Sequence, residues 1–180
     1  MPQPMQADQA NFLLNAIFLP SLEREHLVTR KVIEAIPPDK GEFRPDPVSK
    51  TALELAWHIA ASEKRFLEAI VNGEFNFAPI PRPEPVRNSA EIARWYEEMY
   101  QRLLSQLRSM SSEQLLKVVD FRGMMQLPAV AFLQLAVNHM VHHRGQLSTY
   151  LRPMGGKVPP IYGESYDSAE ARKAAEAKSA

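Results

Sequence analysis

This sequence predicts an all-α fold, a four-helix bundle with long proline-rich connections. Three observations lead there. Apolar residues recur at spacings of three and four over four long stretches, no alternating Val/Ile/Thr run exceeds a few residues, and the fifteen prolines cluster between the stretches. Four amphipathic helices in one chain bury their apolar stripes most simply against one another. A chain of 180 residues suits one domain, and at about 150 residues a chain already hides roughly two thirds of its surface. Residues 1–163 are assigned to the bundle and 164–180, rich in Ala, Glu, Lys and Ser, to a polar, weakly ordered tail.

The first helix is expected from about Asp8 to Ile36, where Pro37-Pro38 stops it. Pro20 lies inside it and predicts a kink or a break, because proline lacks the N–H and clashes one turn back. Leu22, His26, Thr29, Ile33 and Ile36 share its inward face. The second helix is expected from Ser49, read as its N-cap, to Gly73, with Leu55, His58, Ser62, Phe66 and Ala69 inward. Pro79, Pro81, Pro83 and Pro85 alternate in the next connection and favour extended backbone. Asn88-Ser-Ala-Glu91 opens the third helix like a capping box, and Ile92, Tyr96, Met99, Leu103, Gln106 and Met110 form its stripe. Ser111 and Ser112 end it and cap a short turn through Leu116, and Val118 to Met125 reads as irregular. Pro128 suits the first turn of the fourth helix, which runs to about Leu151 before Pro153 and Gly155-Gly156.

Composition excludes several function classes. Apolar residues make up 45% and charged residues 23%, as in ordinary soluble domains rather than disordered chains. Lys plus Arg and Asp plus Glu are 21 each, so no global basic field favours nucleic acid. The absence of cysteine removes disulfides, thiolate ligands and a cysteine nucleophile, and fits a cytoplasmic protein. No apolar run approaches the ~20 residues of a membrane span. Met1-Pro-Gln-Pro-Met-Gln-Ala-Asp8 lacks the basic start and apolar core of a signal peptide.

Three of the five histidines, His26, His58 and His139, lie on the stripes that their helices turn inward. On the fourth helix Phe132, Leu135, His139, His143, Gln146 and Tyr150 fall within one face, with His142 at its edge. His139 and His143 are four residues apart, so their rings project side by side. A metal site between bundle helices draws ligands from facing helices, often including a pair one turn apart. Three protein ligands leave one position of a zinc-like ion open. An inward histidine can equally be a hydrogen-bonded core residue, and composition and spacing leave both readings standing.

The segment from Asn138-His-Met-Val-His-His-Arg-Gly-Gln146 to Pro160-Ile-Tyr-Gly163 closely resembles the C-terminal signature of the DinB-like (DinB/YfiT) superfamily. Leu55-Ala-Trp-His-Ile-Ala60 resembles its second-helix motif, and the resemblance spans about Asn11 to Gly163. It implies a four-helix bundle, often a homodimer, with one divalent metal ion, nickel or zinc, held by His58, His139 and His143. His142 is the neighbour in the doublet and not the matching ligand.

Relatives of defined biochemistry include transferases and isomerases that use low-molecular-weight thiols. The resemblance therefore implies a small-molecule substrate and a metal-activated thiol that attacks an electrophile. One alternative is a hydrolase using a metal-bound water, which needs a nearby acid or base; Glu54 and His26 are the candidates. The other is a non-catalytic metal-binding or stress-response dimer. Gln146 is a candidate to orient a ligand ring. Trp57, Tyr150 and Tyr162 are candidates for the pocket mouth, and Met124 and Met125 beside Phe121 for the cavity lining. Arg144 and Arg152 read as solvated surface arginines.

Overall fold

Helix dominates the structure, a computed structural model that describes residues 4–179. The chain starts with α1 (Ala7–Phe12), a π-helical stretch (Leu13–Phe18) and α2 (Leu19–Glu34). It continues through α3 (Ala52–Asn72), α4 (Ser89–Arg108) and the short α5 (Ser112–Leu116). Two strands, β1 (Val118–Phe121) and β2 (Met125–Pro128), lead through a 3-10 turn to α6 (Phe132–Leu151), and α7 (Tyr166–Ser179) follows. The all-α class expected from the sequence is therefore met. The four long helices close a cycle, with α2 and α3 each packed on both α4 and α6. Leu22, Ile33, Leu55, Ile59, Ile92, Leu103, Leu133 and Leu147 fill the space between them.

Several local expectations are corrected. Pro20 does not break the first helix. It sits in the first turn of α2, and the helix widens to a π-helix just ahead of it. Widening moves the preceding carbonyls away from the pyrrolidine ring, so the helical run continues through Pro20 without the lost hydrogen bond. The N-cap of α3 is Thr51, not Ser49: its hydroxyl accepts the Glu54 N–H at 3.2 Å, and the Glu54 carboxylate accepts the Thr51 N–H at 2.8 Å. Ser49 belongs to the preceding turn, where Asp46 accepts its N–H.

The segment Val118–Met125 is not irregular but builds most of a β-hairpin, with Val118 opposite Pro128 and Phe121 opposite Met125. Arg122 and Gly123 turn it with φ of 56° and 69°, a left-handed conformation in which glycine costs least. Pro128 accordingly closes β2 instead of opening α6. Phe121 packs among Phe66, Phe75, Phe77 and Phe132, but Met124 and Met125 face outward at 67% and 37% exposure and line no cavity by the histidines.

The stripes shift at two places. Gln106 of α4 is exposed, and Leu104 and Leu107 take the buried slots. On α6 the deepest residues are Leu133, Ala136, Met140, Arg144, Leu147 and Leu151; His139 and His143 are half-buried beside that line and Gln146 is exposed.

Arg144 is therefore a core residue, 1% exposed, and not a solvated one. Its Nη1 donates to Glu25 Oε2 at 2.6 Å and its Nη2 to the Tyr162 hydroxyl at 2.6 Å. That hydroxyl in turn donates to Glu25 Oε2 at 2.9 Å. Burial pushes the Glu25 carboxyl up, but the hydrogen bonds from Arg144 and Tyr162 and the Arg144 charge outweigh it and hold the group below its usual range. The triad joins α2, α6 and the segment before α7. Arg152, by contrast, is exposed and pairs with Asp167.

Removing one partner of a buried ion pair strands the other charge, at a cost of about 3–5 kcal/mol. Urea unfolding of Arg144→Met should show a loss of that order, and Arg144→Met combined with Glu25→Leu should recover most of it. A double variant no more stable than the single one would show that the triad is not a coupled unit.

Candidate metal centre

The capping box sets where α3 begins, and so which way His58 faces two turns later. His58 points from α3 toward α6, where His139 and His143 project one turn apart. One nitrogen from each ring lies within 4.8 Å of the others, and all three residues are half-buried. His58 Nε2 and His143 Nε2 are 3.1 Å apart. The ring centroids of His58 lie 5.2 Å from His139 and 4.4 Å from His143. Phe66, from the aromatic cluster around Phe121, stands 5.6 Å from the His139 ring and closes that end.

Burial, followed by the His143 ring and the charges of Lys50 and Arg65, pushes His58 down from 6.5 to about 4. Burial and the rings of His143, His58 and His142 bring His139 to about 4 as well. His143 is lowered by burial and by the His142 and Lys50 charges, against an opposing hydrogen bond to Gln146. All three rings are therefore neutral near pH 7, the state in which imidazole binds metal ions.

Gln146 Oε1 lies 2.9 Å from His143 Nδ1. An amide oxygen only accepts, so this contact favours the tautomer with the proton on Nδ1, which leaves the Nε2 lone pair toward His58. Two nitrogens each ~2.0–2.1 Å from one ion lie about 3.3 Å apart in tetrahedral geometry and about 2.9 Å apart at a right angle. The observed 3.1 Å falls between these. An all-imidazole donor set suits both nickel and zinc.

Two cavities flank the cluster. One, of about 360 Å³, is lined by Lys50, Glu54, Trp57, His58, Ser62 and Arg65 among others. The other, of about 270 Å³, meets Lys50, His143, Gln146 and Tyr150. Trp57 Nε1 donates to the Ile80 carbonyl, and Arg65 donates to the carbonyls of Asn76 and Ala78, so α3 holds the proline-rich connection as a wall.

The remaining candidates fall elsewhere. The Glu54 carboxylate lines the larger cavity but serves the α3 cap, and the Thr51 N–H holds it below its usual range. His26 is buried between α2 and α4, stacked on Tyr100 at 3.7 Å with Nε2 3.2 Å from Glu97 Oε2. Its Nδ1 is 3.8 Å from Glu63, whose carboxylate also accepts the Tyr96 hydroxyl. His26 is not in the three-histidine group. Tyr162 binds Arg144 rather than the cavity mouth. Sequence reasoning passed over Lys50, which lines both cavities; its place directly before the Thr51 cap was the available signal.

Comparisons with known proteins agree with this architecture. The DinB family profile matches residues 5–177. YjoA of Bacillus subtilis (strain 168) is 31% identical over 137 residues, spanning 75% of this chain and 87% of that protein. YrdA of the same organism is 28% identical over 148 residues, spanning 81% and 86%. The crystal structure of the DinB-like protein YjoA superposes with a TM-score of 0.68 at 28% identity, covering 82% of this chain and 99% of that one. A DinB-like protein from Bacillus cereus ATCC 10987 also gives 0.68, at 26% identity, covering 81% and 95%.

The depressed histidines make a pH prediction. Well above pH 6.5 the rings are neutral both folded and unfolded and add no pH dependence. As pH falls from 6.5 toward about 4, the unfolded chain takes up protons that the folded cluster refuses, so stability is lost across that window. Urea unfolding of metal-free protein between pH 8 and 4.5 should show this decline, and His58→Ala should flatten it. An unchanged slope in the variant would contradict the assignment of the shift to the cluster.

Proposed function

This chain belongs to the DinB family, and on that premise we propose that it is a divalent-metal-dependent enzyme acting on a small-molecule substrate. In this reading His58, His139 and His143 would hold one nickel or zinc ion, and a low-molecular-weight thiol, as its thiolate, forms a C–S bond to an electrophilic carbon as a halide leaves or an epoxide or activated double bond opens. The working unit is a cytoplasmic homodimer. The observation that carries the reading is the meeting of three neutral imidazoles, within 4.8 Å of one another, at the junction of two open cavities.

A bound divalent cation lowers the pKa of a thiol that reaches it, and so supplies thiolate at neutral pH. The chain does the rest. Gln146 keeps the His143 proton on Nδ1 and leaves Nε2 free. Trp57 and Tyr150 wall the two cavities, so sulfur and electrophile approach from separate sides. Phe66 and the aromatic cluster exclude water behind His139. Three protein donors leave room for an incoming group, which a closed structural site does not.

Hydrolysis by a metal-bound water is the less favoured chemistry. Its base would be Glu54 or His26. Glu54 is weakened as a base by its cap hydrogen bonds, and His26 is paired with Glu97 in another part of the bundle.

Cobalt-substituted protein provides the test, because its visible bands report the coordination sphere. Adding 2-mercaptoethanol should shift and intensify those bands through a sulfur ligand, and His143→Ala should abolish the effect. Bands indifferent to thiols would mean a closed, structural site and would overturn the transferase reading.

A further inference from the structure

Lys50 joins the two cavities. It lies just ahead of the α3 cap and lines both, beside His58 on one side and His143 on the other. Lys50 is exposed and, like Lys31, Lys117, Lys157 and Lys178, rests against no carboxylate among the described residues; what sets it apart is its place between the two cavities. Arg65, two turns after His58 on α3, adds a second cation to the larger cavity. Its Nε and Nη2 are satisfied by the carbonyls of Asn76 and Ala78, which are dipoles and leave its charge uncancelled.

Against these two cations stands Glu54, the one carboxylate that lines either cavity, already bound to the Thr51 N–H. Three neutral imidazoles would bring no negative charge to a divalent ion, so the ion's full charge would add to that of Lys50 and Arg65. Trp57 and Ile80 line the same cavity and favour an apolar stem. A free cation in an open cavity with little opposing charge attracts and orients anions.

We propose that the small molecule received at the histidine cluster carries an anionic group, a carboxylate in the simplest case, and that Lys50 selects for it. The inference rests on the metal-site reading above and adds a substrate class to it. Lys50 acts here as a binding and specificity residue: it places the anion so that the sulfur end of the molecule faces His58 and His143.

The test compares 2-mercaptoethanesulfonate with 2-mercaptoethanol on the cobalt-loaded protein. A sulfonate carries the charge but is a poor metal ligand, so any preference for it reports on the chain. The charged thiol should bind about tenfold more tightly than the neutral one at low salt, and the advantage should shrink as salt screens it. Lys50→Gln should remove the advantage with metal content unchanged, and Lys50→Arg should keep it. Equal affinities in the wild type, or an advantage that survives Lys50→Gln, would overturn the proposal.

Benzenesulfonate, charged but without a thiol, separates this inference from the thiol reading. Trp57 lines the cavity and its ring lies 4.6 Å from Trp95, so tryptophan emission reports occupancy. Quenching in the wild type that is lost in Lys50→Gln supports anion selection even if no thiol touches cobalt. Quenching that is absent, or equal in both proteins, overturns it even if thiols bind.

Discussion

For three imidazole nitrogens to meet within 4.8 Å, α3 and α6 must be held in one register and one rotation, since His58 comes from the first and His139 and His143 from the second. A rotation of about 100° per residue means that a slip of one position would carry each ring out of the cluster. Burying three uncharged but polar rings side by side is itself unfavourable, and their lowered proton affinities are the sign of it. The rest of the bundle supplies what holds that arrangement. Thr51 and Glu54 set the start of α3, Leu55 and Ile59 seat it in the core, and Gln146 fixes one ring from the exposed side.

The Glu25–Arg144–Tyr162 triad does the same for α6. Arg144 directly follows His143 and projects about a third of a turn away from it, into the core, where Glu25 of α2 receives it. An apolar side chain at that position would tolerate rotation of the helix. A guanidinium whose bonds to a carboxylate and a phenol are both buried does not, because any displacement leaves a charge without a partner. The same constraint brings Tyr162, and with it the chain beyond α6, back against α2.

Much of this was legible in the sequence because it follows from helical periodicity. Spacings of three and four placed His58, His139 and His143 on inward faces, and the prolines and capping residues marked most helix ends. The hairpin was missed because strands of four residues are too short to show a period, although Gly123 after Arg122 carried a turn signal. The π-helical stretch was missed because proline is normally read as a breaker, whereas a widened turn absorbs it. Arg144 was misplaced because a charged residue is rarely fully buried. Leu133, Ala136, Met140, Leu147 and Leu151 put it on the buried stripe, and Glu25 lies on the face of α2 that supplies the partner. Reading one stripe for its charged members would have found both. Ser49 and Thr51 are both plausible caps, and Glu54, three residues after Thr51, distinguishes them.

The central claim is that these three histidines form one metal site. The direct measurement is metal content by mass spectrometry on tag-free protein, after reloading with nickel or zinc, for the wild type, His58→Ala, His143→Ala and His26→Ala. The account predicts close to one equivalent per chain in the wild type and in His26→Ala, and none in the other two. A wild type that takes up no metal, or His58→Ala and His143→Ala variants that retain it, would contradict the account and return the three histidines to the role of core residues.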